Sequence, residues 1–201
     1  PSIIIGKNQN TIEEINAAGG VNGKQVKLIT YDDKGDSKEA GNAVTRLITQ
    51  DKVVAVLGEV ASSLSLAGGA VCQQYKVPMI TPSSTNLRVT VGRDMVFRVC
   101  FTDDQQAYAI AKFVHDNLKF NKAAILFDQT QAYSKGLRDD FVKSYTAMGG
   151  QVTIEQTFSG GDQDFSAQLT SIKATNPQII LVPGYYTEGG NIAIQARKLG
   201  I

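Results

Sequence analysis

Ser62 and Ser63 lie in the stretch GEVASSLSLAGG, between the apolar run KVVAVL and a segment compatible with a helix. A strand that empties into a serine-rich helix start suits an anion. The first helical turn has amide hydrogens without partners and the positive end of the macrodipole, and two hydroxyls would complete a cradle for a carboxylate or phosphate. The same serines can instead cap their own helix. A second site of this kind follows in PMITPSSTN, where a short apolar strand breaks at Pro82 into Ser83, Ser84 and Thr85. Two hydroxyl-rich loops at two strand ends can face one ligand. Tyr133 in DQTQAYSKG and Tyr185 in LVPGYYTEGG follow strands predicted at 123–127 and 179–182. At the carboxyl ends of parallel strands a tyrosine can wall a pocket with its ring and bond with its hydroxyl, or simply cover the sheet end.

Other chemistries find little support. His115 is the only histidine, and within AKFVHDNLK it reads as a helix-surface residue. Cys72 and Cys100 stand in apolar surroundings without CxxC spacing, which predicts free thiols rather than a metal site or a nucleophile. One histidine also leaves zinc sites, Cys-His pairs and the usual serine triad without their imidazoles. The acids of YDDKGDSKEA are read as helix capping by Asp36 or Ser37, with Asp32 and Asp33 solvated. GxGxxG, GxxxxGK[ST] and GxSxG are all missing from the sequence. No metal, cofactor or catalytic residue is therefore expected.

At 201 residues and 42% hydrophobic content the chain can bury one large core or two small ones. Its net charge of +1 carries no basic stripe with interleaved aromatics, so nucleic acid is not an expected partner. No apolar run approaches the roughly 20 residues of a membrane-spanning helix. The start of the chain fits either a cytosolic protein or a processed, secreted one.

Strand and helix signals alternate from end to end. Strands are predicted at 25–31, 53–57, 79–81 and 96–99, then at 123–127, 152–158 and 179–182. Helices are predicted at 37–50, 103–118, 134–148, 164–175 and 187–199. In the first of these Ala40, Ala43, Val44, Leu47 and Ile48 fall on one face. Such alternation predicts an α/β architecture of parallel sheets covered on both faces. Phe101 to Asp104 is the natural break, because FRVCF reads as a strand and Thr102 with Asp103 as a helix start. Lobes at 1–101 and 102–201 follow, closely joined, since no long Gly/Ser linker separates them.

The stretches EEINAAGGVNG, YDDKGDSKEA, ITPSSTN, FRVCFTDD, YSKGL, DQDFSAQL, PGYY and QARKLGI run in order through nearly the whole chain. In them the chain resembles the bacterial periplasmic amino-acid-binding proteins of the leucine/isoleucine/valine type, the substrate-binding components of ABC transporters. The resemblance implies two Rossmann-like lobes of the type I periplasmic binding fold that close on one free amino acid and deliver it to a membrane ABC permease. It implies a periplasmic or extracytoplasmic location, lipid-anchored in a Gram-positive source, and a leucine, isoleucine, valine or alanine type of ligand. By the same resemblance Ser62 and its amide hold the ligand carboxylate, while Ser83 and Thr85 take the ammonium and carboxylate. Val60, Ala61 and Ser84 border the side chain, and Tyr133 and Tyr185 close from the other lobe. The first lobe is expected to be short at its start and the second to be incomplete. The acid for the ammonium would then lie outside this chain, and uncovered strand edges would favour self-association. A ligand-sensing regulatory clamshell is the alternative; an enzyme would need a nucleophile–base pair that one histidine and scattered acids do not assemble.

Overall fold

The computed structural model describes the backbone of residues 2–201 and the side chains of residues 10–201. Helix α1 (Ser2–Ala17) leads through a tight turn at Asn22-Gly23, both with positive φ, closed by bonds between Val21 and Lys24. Asn-Gly supplies the left-handed conformations such a turn needs. Helix α2 (Ser37–Thr49) is capped by Asp36, whose carboxylate accepts from the Lys38 and Glu39 amides. Its buried stripe of Ala40, Val44 and Ile48 follows the predicted face.

Three strands, β1 (Val56–Leu57), β2 (Met79–Thr81) and β3 (Val96–Arg98), form one parallel sheet in that order. Helix α3 (Ser62–Tyr75) crosses from β1 to β2. It packs with α2 on one sheet face, around Val44, Ile48, Val56, Cys72, Met79 and Val96. The strand period of two sends the alternate residues Leu57, Ile80 and Phe97, paired across the ladder, to the other face. There they stand 54%, 41% and 50% exposed.

A second parallel sheet has the order β5-β4-β6, from β4 (Lys122–Asp128), β5 (Gln151–Phe158) and β6 (Ile179–Leu181). Helices α4 (Asp103–Lys112) and α5 (Ala132–Ala147) cover one side through Ala107, Ala111, Phe141 and Tyr145. Helices α6 (Ser166–Ala174) and α7 (Tyr186–Lys198) cover the other through Leu169, Ile172 and Ile192. Strand β4 is central and buried on both faces from Ala123 to Asp128, as a continuous apolar run requires. Two α/β halves, each built on its own parallel sheet, are the predicted fold class.

Several local expectations change. Residues 25–31 join no ladder among the described residues. Val26 instead gives its N–H to Asn16 Oδ1 and takes Asn16 Nδ2 on its carbonyl, at 2.7 and 2.8 Å, so a side chain satisfies the backbone groups a neighbouring strand would use. The strand predicted at 53–57 shrinks to Val56–Leu57, because the Val53 amide turns back to the Leu47 carbonyl and finishes α2. The helix predicted at 103–118 leaves α geometry after Lys112 and ends in a π-helical turn, Phe113–Asn117. His115 lies in that turn, bonded to Asp116. Both cysteines are free, Cys72 buried and Cys100 half-buried.

Candidate functional site

Helix α3 begins directly beyond β1, with Ala61 as its N-cap and no side chain capping it. The capping role left open for Ser62 and Ser63 is therefore not the one they play. Ser62 Oγ accepts the Asn86 amide at 3.2 Å, and Ser63 Oγ accepts the Ala132 amide of α5 at 2.9 Å. One serine ties α3 to the loop after β2, and the other ties it to the second half of the chain.

The two hydroxyl-rich loops are stitched together by their own side chains. Thr81 Oγ1 donates to the Glu59 carbonyl at 2.7 Å and accepts the Ser84 amide at 3.0 Å, while Ser83 Oγ donates to the Val60 carbonyl at 3.1 Å. Ser84 Oγ lies 2.7 Å from Ser65 Oγ and 3.0 Å from the Val60 carbonyl, turned into the fold at 1% exposure. Its side chain and its N–H are both spent on this network. The Arg98 guanidinium donates to the Ser84 and Asn86 carbonyls at 3.0 and 2.8 Å and fixes the outgoing chain. Val60 is exposed, Ala61 and Ser83 are half-buried, and Thr85 is buried.

Ser134 organises the facing loops. It is fully buried, and its hydroxyl accepts the Asp128 amide at the end of β4 at 2.8 Å and donates to the Pro183 carbonyl after β6 at 2.5 Å. Its chain neighbour Tyr133 and the nearby Tyr185 thereby meet, ring centroids 5.8 Å apart and tilted by 34°. Burial pushes the Tyr185 phenol up to about 12, and the Tyr133 phenol is raised by the same cause, so both are neutral donors at ordinary pH. Asn86 Nδ2 donates to the Ala132 carbonyl at 2.9 Å and completes the join between the halves.

Sequence reading passed over Asn86, Asp103, Glu59 and Ser134. Only the N in PSSTN and the D after Thr102 gave a local sign, as turn and helix-start residues. Glu59 is the least expected, since burial, followed by a side-chain bond to Asp33 and the charge of that residue, holds its carboxyl up at about 8. Asp33 is thus more than a solvated acid. Because the folded protein keeps this proton while an unfolded glutamate releases it near 4.5, stability falls as pH rises from about 5 to 8. Glu59→Gln keeps a donor for Asp33 and should be near neutral at pH 5 but stabilising by about 1–3 kcal/mol at pH 9. Urea melts at the two pH values test this, and a difference independent of pH would contradict it.

Among the described residues no cluster of histidine, cysteine and acid groups is arranged to hold a metal ion. A cavity of about 420 Å³ lies along the join, lined by Ser63, Asn86, Thr130, Ala132, Lys135 and Gly136. A separate groove of about 570 Å³ beside β6 and α7 is lined by Lys173, Ile180, Ile192 and Ile201. The first borders the serine-bearing helix start through Ser63, and neither is lined by Ser62, Ser83, Ser84, Thr85, Tyr133 or Tyr185.

Residues 9–201 match the family model described as periplasmic binding protein. An amino acid binding protein of Pseudomonas aeruginosa is 34% identical over 190 residues, 94% of this chain and 50% of that protein. The Leu/Ile/Val-binding protein BraC3 of Rhizobium johnstonii is 36% identical over 192 residues, 95% of this chain and 52% of that one. Among solved structures, the leucine binding protein LivK from Thermotoga maritima superposes with a TM-score of 0.91 at 43% identity, covering 94% of this chain and 54% of that one. The branched-chain amino acid transporter substrate binding protein LivJ from Streptococcus pneumoniae, solved in complex with isoleucine, gives 0.89 at 39% identity, with 96% and 55% covered. The chain thus spans about half the length of the relatives it matches.

Proposed function

Because the chain belongs to the periplasmic binding protein family, we propose that it takes part in capturing a small aliphatic amino acid, of the leucine, isoleucine, valine or alanine type, between two lobes at 1–101 and 102–201. In this reading it is the substrate-binding component of an ABC transporter, works outside the cytoplasm, anchored by lipid in a Gram-positive source, and hands its ligand to a membrane permease. The family is one of binding proteins, and the reading requires no nucleophile or proton-transfer pair.

The observation that supports the proposal is the set of bonds by which Ser62, Ser63 and Asn86 join the start of α3 to Ala132 of α5, the residue before Tyr133 of the Tyr133–Tyr185 pair. The start of α3 offers unpaired amides and the Ser62 hydroxyl to a carboxylate. Ser83 and Thr85 offer carbonyl and hydroxyl groups, Val60, Ala61 and the Ser84 backbone border an aliphatic side chain, and the two tyrosines close the far side. Calorimetric titration with leucine, isoleucine, valine and alanine, beside glutamate and lysine, tests the assignment. Saturable binding of the aliphatic set alone is expected; no saturable heat with any of them overturns it.

The exposed row of Leu57, Ile80 and Phe97 supports the further proposal that the 201-residue chain self-associates. Sedimentation should show association that weakens in Phe97→Lys, and a strict monomer at high concentration would exclude it.

A further inference from the structure

The cavity of about 420 Å³ along the join is lined by none of the residues assigned to the amino acid, and its volume falls within the roughly 300–1,000 Å³ of small-molecule sites. Ser63, Asn86 and Ala132, which bond to one another across the join, all border it. Two cations line it from opposite halves: Arg88, in the single turn Leu87–Val89 that follows the loop after β2, and Lys135 in α5. Both are exposed, and among the described residues neither forms an ion pair.

Other cations have their acids. Lys112 pairs with Asp116, and Arg138 pairs with both Asp139 and Glu155. The second pairing matters here, because Asp139 is the acid of the cavity lining and its charge is already met. Ser63 Oγ accepts the Ala132 amide and keeps its own proton to give, while Thr130 spends its proton on Asp128. The lining is thus rich in donors and positive charge and asks for an acceptor-rich anion.

We propose that this cavity is a second binding site, for a small tetrahedral oxyanion of the phosphate or sulfate class, and that the bound anion clamps the two halves together. A guanidinium fork takes two oxygens, an ammonium takes a third, and the Ser63 proton suits a fourth; a halide would leave most of these donors unused. Because one cation belongs to each half, the anion gains both only while the join is made. It stabilises the joined arrangement through that difference in affinity, and an amino acid held across the same join binds more tightly in its presence. This coupling rests on the reading of the join as an amino-acid site, whereas the anion site stands without it.

Amide resonances of Ser63, Ala132 and Lys135, followed during titration with sodium phosphate at pH 7.5 and constant ionic strength, test the site. Saturable shifts are expected, with the affinity about tenfold or more lower in Arg88→Gln and in Lys135→Gln, and unchanged in Lys198→Gln of α7. No saturable shift, or the same affinity in all three variants, overturns the site. Calorimetry then compares leucine in phosphate and in chloride of equal ionic strength, so that screening is held fixed. Leucine affinity should be about fivefold or more higher in phosphate on the unaltered chain, and the gain should vanish in Lys135→Gln. Equal affinity in the two salts overturns the clamp. No leucine binding in either salt defeats the amino-acid reading and the coupling with it, and the anion site then stands or falls on the shifts alone.

Discussion

Ser62→Ala should weaken leucine binding about 10- to 150-fold, the loss of a hydrogen bond to a charged group worth about 1.5–3 kcal/mol. The hydroxyl accepts the Asn86 amide, and its own proton remains to be given to a ligand carboxylate beside the helix start. Removing it therefore also strips a partner from the Asn86 amide, which should cost about 1 kcal/mol of stability. Thr85→Ala should weaken binding over a similar range. Calorimetric affinities read against urea midpoints separate the two effects, because a purely structural serine would lower the midpoint and leave the affinity of the folded fraction unchanged.

Gly136→Ala should destabilise the protein by about 1–3 kcal/mol, although alanine normally favours a helix over glycine by about 1 kcal/mol. The added Cβ would overlap Asp103 Oδ2 and Asn86 Nδ2, and neither can step aside freely. Asn86 is held by the Ala132 carbonyl and the Arg88 amide, and Asp103 is set by the first turn of α4. Gly189→Ala in α7 is the control, because a Cβ there meets nothing within 4 Å. It should stabilise by about 0.5–1 kcal/mol through helix propensity. Equal effects of the two substitutions in urea unfolding would remove the case for a close approach at Gly136. The same overlap should hold the two halves apart, so amino-acid affinity should fall in Gly136→Ala and be unaffected in Gly189→Ala.

Elements whose pattern is local were legible in the sequence. The stripe of α2, the Asp36 cap, the turn at Asn22-Gly23 and the apolar run from Ala123 to Phe127 in β4 each carry their signal within a few residues. The serine-rich start of α3 was legible as a helix N-terminus, but the partners of its hydroxyls were not. Ser62 and Ser63 bond to amides 24 and 69 residues away, and no local pattern distinguishes that from self-capping. Residues 25–31 read as a strand because β propensity describes a side-chain surface, whereas a strand exists only with a neighbour. Here the neighbour of Val26 is the Asn16 side chain. Asp103 and Glu59 look like surface acids in sequence; their burial comes from helices packed over them. Serine, threonine and tyrosine at strand ends are thus local signals, while the burial that shifts Asp103 and Glu59 depends on tertiary packing.

Intermolecular NOEs from isotope-labelled leucine to the protein test the central claim most directly. Bound leucine should show its methyl protons against the Tyr133 and Tyr185 rings and its α-proton near Ser62 and Thr85, in one site spanning both sheets. Contacts confined to the groove of Lys173, Ile192 and Ile201, or to one half of the chain alone, would contradict it.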